Sequence, residues 1–193
     1  MTELLLTLIS AALVNNLVLH QALALDPLLQ PVEPASRRRV HALGLATLVL
    51  MVLAVVPGQL LYRYGLRPLQ LEYLRLFVFL PLCVLLAAPV LNRLQRQLPH
   101  WPFTGLKPLL LGNAAVLGLA LQASDATLDP FATLALALSL GGGLGFWLAL
   151  CLFDDLRQRS DAAPVALRGL PIELIGAGIM ALAFLGFNGL FTS

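Results

Sequence analysis

The sequence contains few charged residues. Only 11% of its 193 residues are Asp, Glu, Lys or Arg, whereas a soluble domain contains about 25%. So few charges cannot solvate a globular surface, because 59% of the residues are hydrophobic. The net charge of +2 is also too small to indicate a nucleic-acid partner. The composition therefore predicts an integral membrane protein whose main surroundings are membrane lipid.

Cysteine is scarce, and so are the usual combinations of catalytic residues. Cys83 and Cys151 both lie in apolar runs, and their spacing fits neither a disulfide framework nor a zinc site. We interpret both as core or lipid-facing residues. The sequence contains no Ser-His-Asp set, no paired carboxylates and no cluster of metal ligands. We therefore predict no catalytic residue and no metal site in this chain.

Long apolar runs are what the sequence has in abundance. A helix needs about 20 apolar residues to cross the hydrocarbon core of a membrane. The amino terminus lacks the basic region of a secretory signal, so we expect the first run to remain as a membrane segment. We predict an all-α membrane protein, a single domain over residues 1–193. Its six transmembrane helices correspond to residues 4–25, 40–61, 69–91, 108–121, 131–153 and 171–191.

The positive charges predict the orientation of these helices. The first, third and fifth connections contain nine Lys or Arg residues, whereas the second connection with its edge contains three and the fourth none. Connections rich in Lys and Arg stay in the cytoplasm. The sequence therefore predicts a multi-pass protein of the bacterial inner (cytoplasmic) membrane with both termini in the periplasm.

Polar residues interrupt two of the apolar runs at matching places. Asn15 and Asn16 lie in the middle of the first run, and Gly112-Asn113 lies in the middle of the short fourth run. An unpaired amide in hydrocarbon costs on the order of several kcal/mol. Interrupted helices at corresponding positions of two halves are typical of inverted repeats with a midplane site. We predict two inverted three-helix repeats, residues 1–91 and 92–193, with helices 1 and 4 interrupted.

Candidate residues for an ion or electron path follow from these interruptions. Asn15, Asn16 and Asn113 are the main candidates, although ordinary interhelical packing is the alternative. Glu173, at the start of the last helix, is a weaker candidate, because a solvated or paired carboxylate explains it equally. Glycines in the last two helices predict close helix packing: Gly141, Gly145, Gly176, Gly178, Gly186 and Gly189.

Several stretches together resemble one family of membrane subunits. They are Leu-Val-Asn-Asn-Leu-Val-Leu at 13–19, Gly-Leu-Ala-Thr at 44–47, Leu-Glu-Tyr-Leu-Arg at 71–75, Asn-Ala-Ala-Val-Leu-Gly at 113–118, and the glycine-rich close at 176–190. The chain resembles, from end to end, the A-type subunits of the Rnf (Rsx) ion-translocating electron transport complex. It is also similar to the related E-type subunits of the sodium-translocating NADH:quinone reductase.

The resemblance implies a translocase subunit that is not catalytic alone. Such A-type subunits have six helices and pair with an oppositely oriented homologue, the E-type subunit, in a complex that also contains B-, C-, D- and G-type subunits. The complex couples electron transfer between ferredoxin and NAD to ion movement. The resemblance further implies flavins and iron–sulfur clusters on partner subunits, and a [2Fe-2S] cluster shared between the A-type and E-type subunits.

This chain departs from the family at both cluster cysteines. Asp26 stands in place of the first cysteine, and Ala114 stands in place of the second. Iron–sulfur clusters are held by thiolates. Asp26 offers an oxygen but Ala114 offers no donor atom, so we expect no standard four-cysteine cluster and no cofactor bound by this chain alone.

Three functions fit the sequence at this stage. The first is a membrane subunit of an Rnf-type complex, which forms part of the core through which electrons or ions pass. The second is a small secondary transporter or channel built as an inverted repeat, because interrupted helices fit it equally well. The third is a purely structural subunit of the complex, which the missing cysteines favour.

Overall fold

A computed structural model describes residues 2–21, 23, 37–125, 131–159 and 168–189 of the chain. Within these ranges every regular element is helical, which confirms the prediction of an all-α protein. The α-helices are α1 Thr2–Ile9, α2 Arg37–Leu61, α3 Arg75–Gln97, α4 Lys107–Leu111, α5 Ala114–Asp125, α6 Phe131–Arg159 and α7 Leu170–Leu185.

Short stretches of other helix types adjoin four of these helices. A π-helical turn, Ser10–Val14, continues α1, and a second one, Tyr62–Leu66, continues α2. A 3₁₀ turn, Glu72–Leu74, precedes α3, and another, Gly186–Gly189, follows α7. π-helical turns are rare and frequently lie at functional sites, and the one after α1 ends next to Asn15.

Three helical stretches of the described chain are long and apolar enough to cross a membrane. They are Arg37–Leu66, Glu72–Gln97 and Thr133–Arg159. Two shorter apolar stretches, Leu4–Val14 and Leu170–Leu185, correspond to the first and last predicted helices. The structure therefore contains clear candidates for three of the six predicted spans, and six crossings remain a prediction.

The third helix does not begin where hydropathy predicts. The apolar run begins at residue 69, but α3 begins at Arg75. The backbone of Gln70 has a φ of 56°, in the left-handed region, and the chain passes through it into the 3₁₀ turn before α3. The helix then continues to Gln97, beyond the predicted end at residue 91. Hydropathy misses this extension because the added residues are mostly polar.

The centre of the molecule is an antiparallel pair formed by α2 and α6. An ion pair of 2.7 Å joins Arg37, at the start of α2, to Asp155, near the end of α6. Halfway along, a Cβ atom added to Gly143 would lie 2.9 Å from the Cα atom of Leu48. Lipid provides no hydrophobic drive between helices, so such close backbone approach stabilises the pair by van der Waals contact.

The remaining helices surround this pair in a regular way. α1 and its π-helical turn pack on α6, whereas α5 and, to a smaller extent, α4 pack on α2. α3 lies beside α2 and contacts α4 and α5, and α7 lies beside α6 and contacts the π-helical turn after α1. Exchanging the two halves of the chain therefore exchanges the contact of α3 with α2 for that of α7 with α6, and the contact of α4 with α2 for that of α1 with α6.

Candidate functional site at two helix breaks

Asn16 fixes the first break through a complete set of hydrogen bonds. Its side chain is fully buried, and its amide nitrogen donates to the carbonyl oxygens of Ala12 at 2.9 Å and Gly145 at 3.0 Å. Its amide oxygen accepts from the backbone N–H groups of Val18 at 3.0 Å and Leu19 at 3.2 Å. An Asn amide has two donor hydrogens and two acceptor lone pairs, so all four positions are used.

Asn15 has a different environment, although it is the neighbouring residue. It is exposed, and its amide nitrogen donates to the Ser10 hydroxyl at a long 3.3 Å. Its backbone N–H closes the π-helical turn by donating to the Ser10 carbonyl at 2.7 Å. The structure thus separates the predicted pair into a buried residue that holds the break together and an exposed residue that lines the adjoining cleft.

Asn113 fixes the second break in the same manner. α4 ends at Leu111, and α5 begins at Ala114. The Asn113 side chain is 4% exposed, and its amide nitrogen donates to the Thr47 hydroxyl at 3.3 Å. Its amide oxygen accepts from the backbone N–H of Ala115 at 3.1 Å, which satisfies a donor in the first turn of α5. The interruption predicted at residues 112–113 is present.

The two breaks are anchored to the same part of the central helix pair. Asn16 bonds to Gly145 on α6, and Asn113 bonds to Thr47 on α2. The number of positions that separates Asn113 from Asn16 is the same as the number that separates Leu144 from Thr47, and Leu144 is the neighbour of Gly145. Each buried asparagine therefore reaches across to the middle helix of the other half, at nearly equivalent positions.

Thr47 and Gly145 are site residues that the sequence analysis did not assign to the site. Both lay in motifs that the sequence singled out, Thr47 in a family-like stretch and Gly145 in a glycine run. Gly145 does pack closely, as predicted, because an added Cβ atom would lie 2.6 Å from the Ala12 carbonyl oxygen. Its second role, as an acceptor for Asn16, has no signal in the sequence because the contact depends on the fold.

Glu173 lies away from both breaks, in the first turn of α7. Its carboxylate accepts a hydrogen bond of 2.7 Å from the guanidinium of Arg157 on α6. The two side chains are 13% and 26% exposed, respectively. The Arg157 guanidinium also lies 5.8 Å from the ring centroid of Phe153. The carboxylate is therefore paired, and the pair joins α7 to α6.

Two cavities adjoin the breaks. A cleft of about 740 Å³ includes Asn15, Ser10, Thr7 and Gln122 in its lining. A smaller cavity of about 110 Å³ lies beside the second break, where its lining includes Asn113, Ala114 and Cys83. The first has polar side chains on two walls, whereas the second is mainly apolar.

The residues present do not fit the iron–sulfur cluster that the family resemblance implies. Ala114 is exposed at the first position of α5 and has no donor atom. Cys83 lines the same small cavity, which the sequence did not indicate, but it is a single thiol there. Among the described residues no group of three or more His, Cys, Asp or Glu side chains could hold a metal ion. Asp26 lies outside the described residues.

Comparison with known proteins agrees with the resemblance over the whole chain. A family model described as Rnf-Nqr subunit, membrane protein, matches residues 4–191. The chain is 41% identical over 196 aligned residues to the A-type subunit of the ion-translocating oxidoreductase complex of Pseudomonas aeruginosa, with 98% of each chain covered. It is 40% identical to the proteins of the same name from Syntrophotalea carbinolica and Azotobacter vinelandii, again over 98% of each chain.

Proposed function

Because the chain belongs to the Rnf-Nqr family of membrane subunits, we propose that it is the A-type subunit of an ion-translocating oxidoreductase complex. It couples electron transfer, between ferredoxin and NAD in the Rnf type, to ion movement across the membrane. Full-length similarity to relatives with that name carries the proposal. We assign it the role of forming part of the path through which electrons or ions pass.

The proposal includes six crossings arranged as two inverted repeats. The packing around α2 and α6 supports it, because the contact of α3 with α2 has a counterpart in the contact of α7 with α6. The reciprocal bonds of Asn16 and Asn113 support it as well. The excess of positive charge in the odd-numbered connections favours a location in the bacterial inner membrane with periplasmic termini.

The second break favours a protein partner. Leu111 is 40% exposed, and Gly112 and Ala114 are also exposed, so the non-helical backbone of this break lies at the surface. Lipid does not tolerate irregular backbone at membrane depth; such backbone must be covered by protein or face water. The neighbouring exposed side chains on α3, Leu80 and Val84, are apolar, which favours protein. We assign this face to the inverted E-type homologue, within a complex that also contains B-, C-, D- and G-type subunits.

Electrons do not cross this chain through a four-thiolate [2Fe-2S] cluster in the proposed complex. The observation that supports this is Ala114, which stands at the second break without a donor atom. The flavins and remaining iron–sulfur clusters belong to the partner subunits. Asn15, Asn16 and Asn113 remain the proposed path residues, whereas the ion pair of Glu173 with Arg157 favours a structural role for that carboxylate.

Affinity purification of the tagged chain from its native membrane tests the proposal. We expect the redox subunits to copurify, with flavin and iron in the preparation. Ala114→Trp should displace the partner that covers the second break. Leu85→Trp, on an α3 residue that is 71% exposed, is the matched control and should keep it. Purification of the chain alone, with substrate flux in liposomes, would instead identify a transporter or channel.

A structural subunit is the second candidate, and Ala114 is the observation that favours it. A complex that assembles, contains flavin and iron, and transports ions equally well when Asn15 is replaced by Leu would support this candidate. Loss of ion transport in that variant, with assembly unchanged, would support the path role. A [2Fe-2S] signal that disappears on replacement of Asp26 would contradict our statement about the cluster.

A further inference from the structure

The connection between α2 and α3 carries a cluster of exposed aromatic and apolar side chains. All three tyrosines of the sequence lie in it, at positions 62, 64 and 73. Tyr64, Leu69, Tyr73 and Phe77 are 67–73% exposed, whereas Leu66 between them is buried. An exposed apolar cluster of this kind marks a contact with a protein or with a membrane.

The connection is short and is held in one conformation by its own backbone. The apolar stretch that contains α2 ends at Leu66, and the one that contains α3 begins at Glu72. The backbone N–H of Leu71 donates to the Leu66 carbonyl at 2.9 Å, and that of Gln70 donates to the Arg67 carbonyl at 3.1 Å. The left-handed φ of 56° at Gln70 closes the turn. We call residues 66–73 the α2–α3 hairpin.

The reach of the α2–α3 hairpin decides which layer of the membrane it occupies. Four residues separate Leu66 from Leu71, which are joined by a hydrogen bond. At about 3.5 Å per residue, two residues that rise and two that return carry the tip at most about 7 Å beyond the ends of the two apolar stretches. The headgroup layer on each side of the hydrocarbon core is about 5–8 Å thick. The tip therefore stays within the headgroup layer.

The exposed side chains have the chemistry of that layer. Tyrosine is enriched at membrane–water interfaces, because its ring is apolar and its hydroxyl is polar. Phe77, which has no hydroxyl, lies one turn further along the chain than Tyr73 and therefore deeper. Arg67 is exposed at the start of the turn, and a guanidinium binds phosphate oxygens through paired N–H groups.

The position of Arg67 also favours an anionic partner. It lies in the second connection, on the side of the membrane where the sequence carries few positive charges, since the fourth connection contains none. Positive charge is disfavoured on that side, so an arginine there is best explained by a phosphate that pairs with it. A protein partner would have to enter the headgroup layer to reach the same side chains.

We propose that the α2–α3 hairpin, together with Tyr64 and Phe77, docks on the phospholipid headgroups of its side of the membrane, with Arg67 bound to the phosphate of an anionic phospholipid. This contact goes beyond the proposed function and does not depend on it. Because α3 contacts α4 and α5, an anchor at the start of α3 also fixes the depth of the second break in the membrane.

Photocrosslinking in native membranes tests the contact. The photoreactive residue p-benzoylphenylalanine is placed at Leu69, Tyr73 or Leu85 in turn, in cells grown on radioactive phosphate. At Leu69 and Tyr73 the irradiated chain should carry lipid phosphorus that survives mild alkaline hydrolysis of the acyl esters, because the bond forms on the headgroup or glycerol. Leu85 is the control, about 15 Å along α3 from its first residue. Its phosphorus should be lost, because the bond there forms on an acyl chain.

Two results would overturn the docking surface. A crosslink to a protein at both Leu69 and Tyr73, seen as a shift to higher mass on a denaturing gel, would identify a protein partner. Loss of the phosphorus at both positions after alkaline hydrolysis, or no adduct at either, would show that the α2–α3 hairpin does not lie among headgroups.

Lipid selectivity tests the role of Arg67. In membranes of phosphatidylethanolamine and phosphatidylglycerol, the adducts at Leu69 should contain anionic phosphatidylglycerol at about fivefold above its share, the effect of one basic side chain near a membrane surface. Arg67→Gln should remove this enrichment. Arg93→Gln, in the third connection, is the matched control and should retain it. An unchanged lipid ratio in Arg67→Gln would overturn the phosphate assignment. Copurification of the redox subunits, measured on the same preparations, reports on the proposed function and not on the hairpin.

Discussion

At the scale of single residues, two adjacent asparagines with the same side chain have different roles. Asn16 makes four hydrogen bonds of 2.9–3.2 Å in a buried site, whereas the Asn15 side chain makes one bond of 3.3 Å at an exposed site. We expect Asn16→Leu to lower stability by about 3 kcal/mol, because several buried polar groups lose their partner. For a chain of this size that lowers the thermal midpoint by roughly 6–12 °C.

Asn15→Leu is the matched comparison for that experiment. Because little is buried or bonded at Asn15, its stability should stay within about 0.5 kcal/mol of the wild type. Thermal unfolding of the detergent-purified chain, followed by size-exclusion chromatography of the remaining monomer, measures both variants. Equal losses in the two variants would show that the break depends on the pair as a unit and not on Asn16.

A second residue-scale prediction concerns the ion pair of Glu173 with Arg157. Glu173→Gln should cost about 1–3 kcal/mol, because it leaves the largely buried guanidinium of Arg157 without its charged partner. It should leave ion transport per assembled complex unchanged, whereas a residue on the path would stop it. Arg157→Gln is the control, because it removes the same pair from the other side; it should also leave transport unchanged and cost at least as much stability, since the contact with the Phe153 ring is lost as well.

The residue scale is also where the sequence was most and least informative. Asn15, Asn16 and Asn113 were identifiable because an amide inside an apolar run is energetically unusual. Their partners were not, since Gly145 is 129 positions from Asn16 and Thr47 is 66 from Asn113. Nothing in the local sequence specifies such contacts, because they arise only when α2 and α6 have packed.

At the scale of helices, close packing depends on which side of a helix a glycine occupies. A Cβ atom on Gly145 would meet the Ala12 backbone, whereas one on Gly178 would have nothing within 4 Å. Gly145→Ala should therefore cost about 1–3 kcal/mol through overpacking. Gly178→Ala on the isolated chain should stabilise α7 by about 0.5–1 kcal/mol, because alanine favours helix over glycine. Thermal unfolding in detergent measures both, and equal effects would contradict the assignment of the two faces.

The same glycines show how much of the helix packing can be predicted from the sequence pattern. The prediction of close packing is right for Gly141 and Gly145, whose added Cβ atoms would clash with the α1 stretch. Gly176 meets the flexible end of Leu156, whereas Gly178 and Gly186 meet nothing within the described chain, so close packing of the last two stays a prediction. Gly189 lies among residues whose side chains are not described. The spacing of glycines indicates that one face of a helix carries small residues, but it does not indicate which residues pack against that face.

At the scale of the whole molecule, the distribution of positive charge makes a direct prediction about topology. Alkaline phosphatase fused after Ser193 should be active, because that terminus is predicted to be periplasmic. The same enzyme fused after His100, in the arginine-rich third connection, should be inactive. Activity at both positions, or at His100 alone, would show that the number of crossings or the orientation is wrong. Expression of each fusion is checked by immunoblot.

Hydropathy and charge predicted the architecture in outline, but they did not predict where the two interrupted helices begin and end. The second, third and fifth apolar runs correspond to long helices, because a helix that faces lipid must be apolar along its length. The first and fourth runs are not continuous helices in the structure. Their exact ends were not predictable, since they depend on hydrogen bonds to the central pair and not on local apolar character.

The long reach of Asn16 has a consequence for biosynthesis. Its acceptor, Gly145, is 129 residues further along the chain. At about 5–20 residues per second, the ribosome needs roughly ten seconds to add them. During that interval the first helix has been synthesised, but the Asn16 amide lacks the Gly145 carbonyl as an acceptor. The first half of the molecule is therefore incomplete when synthesised, and a factor that shields a polar group inside the membrane would act in this interval.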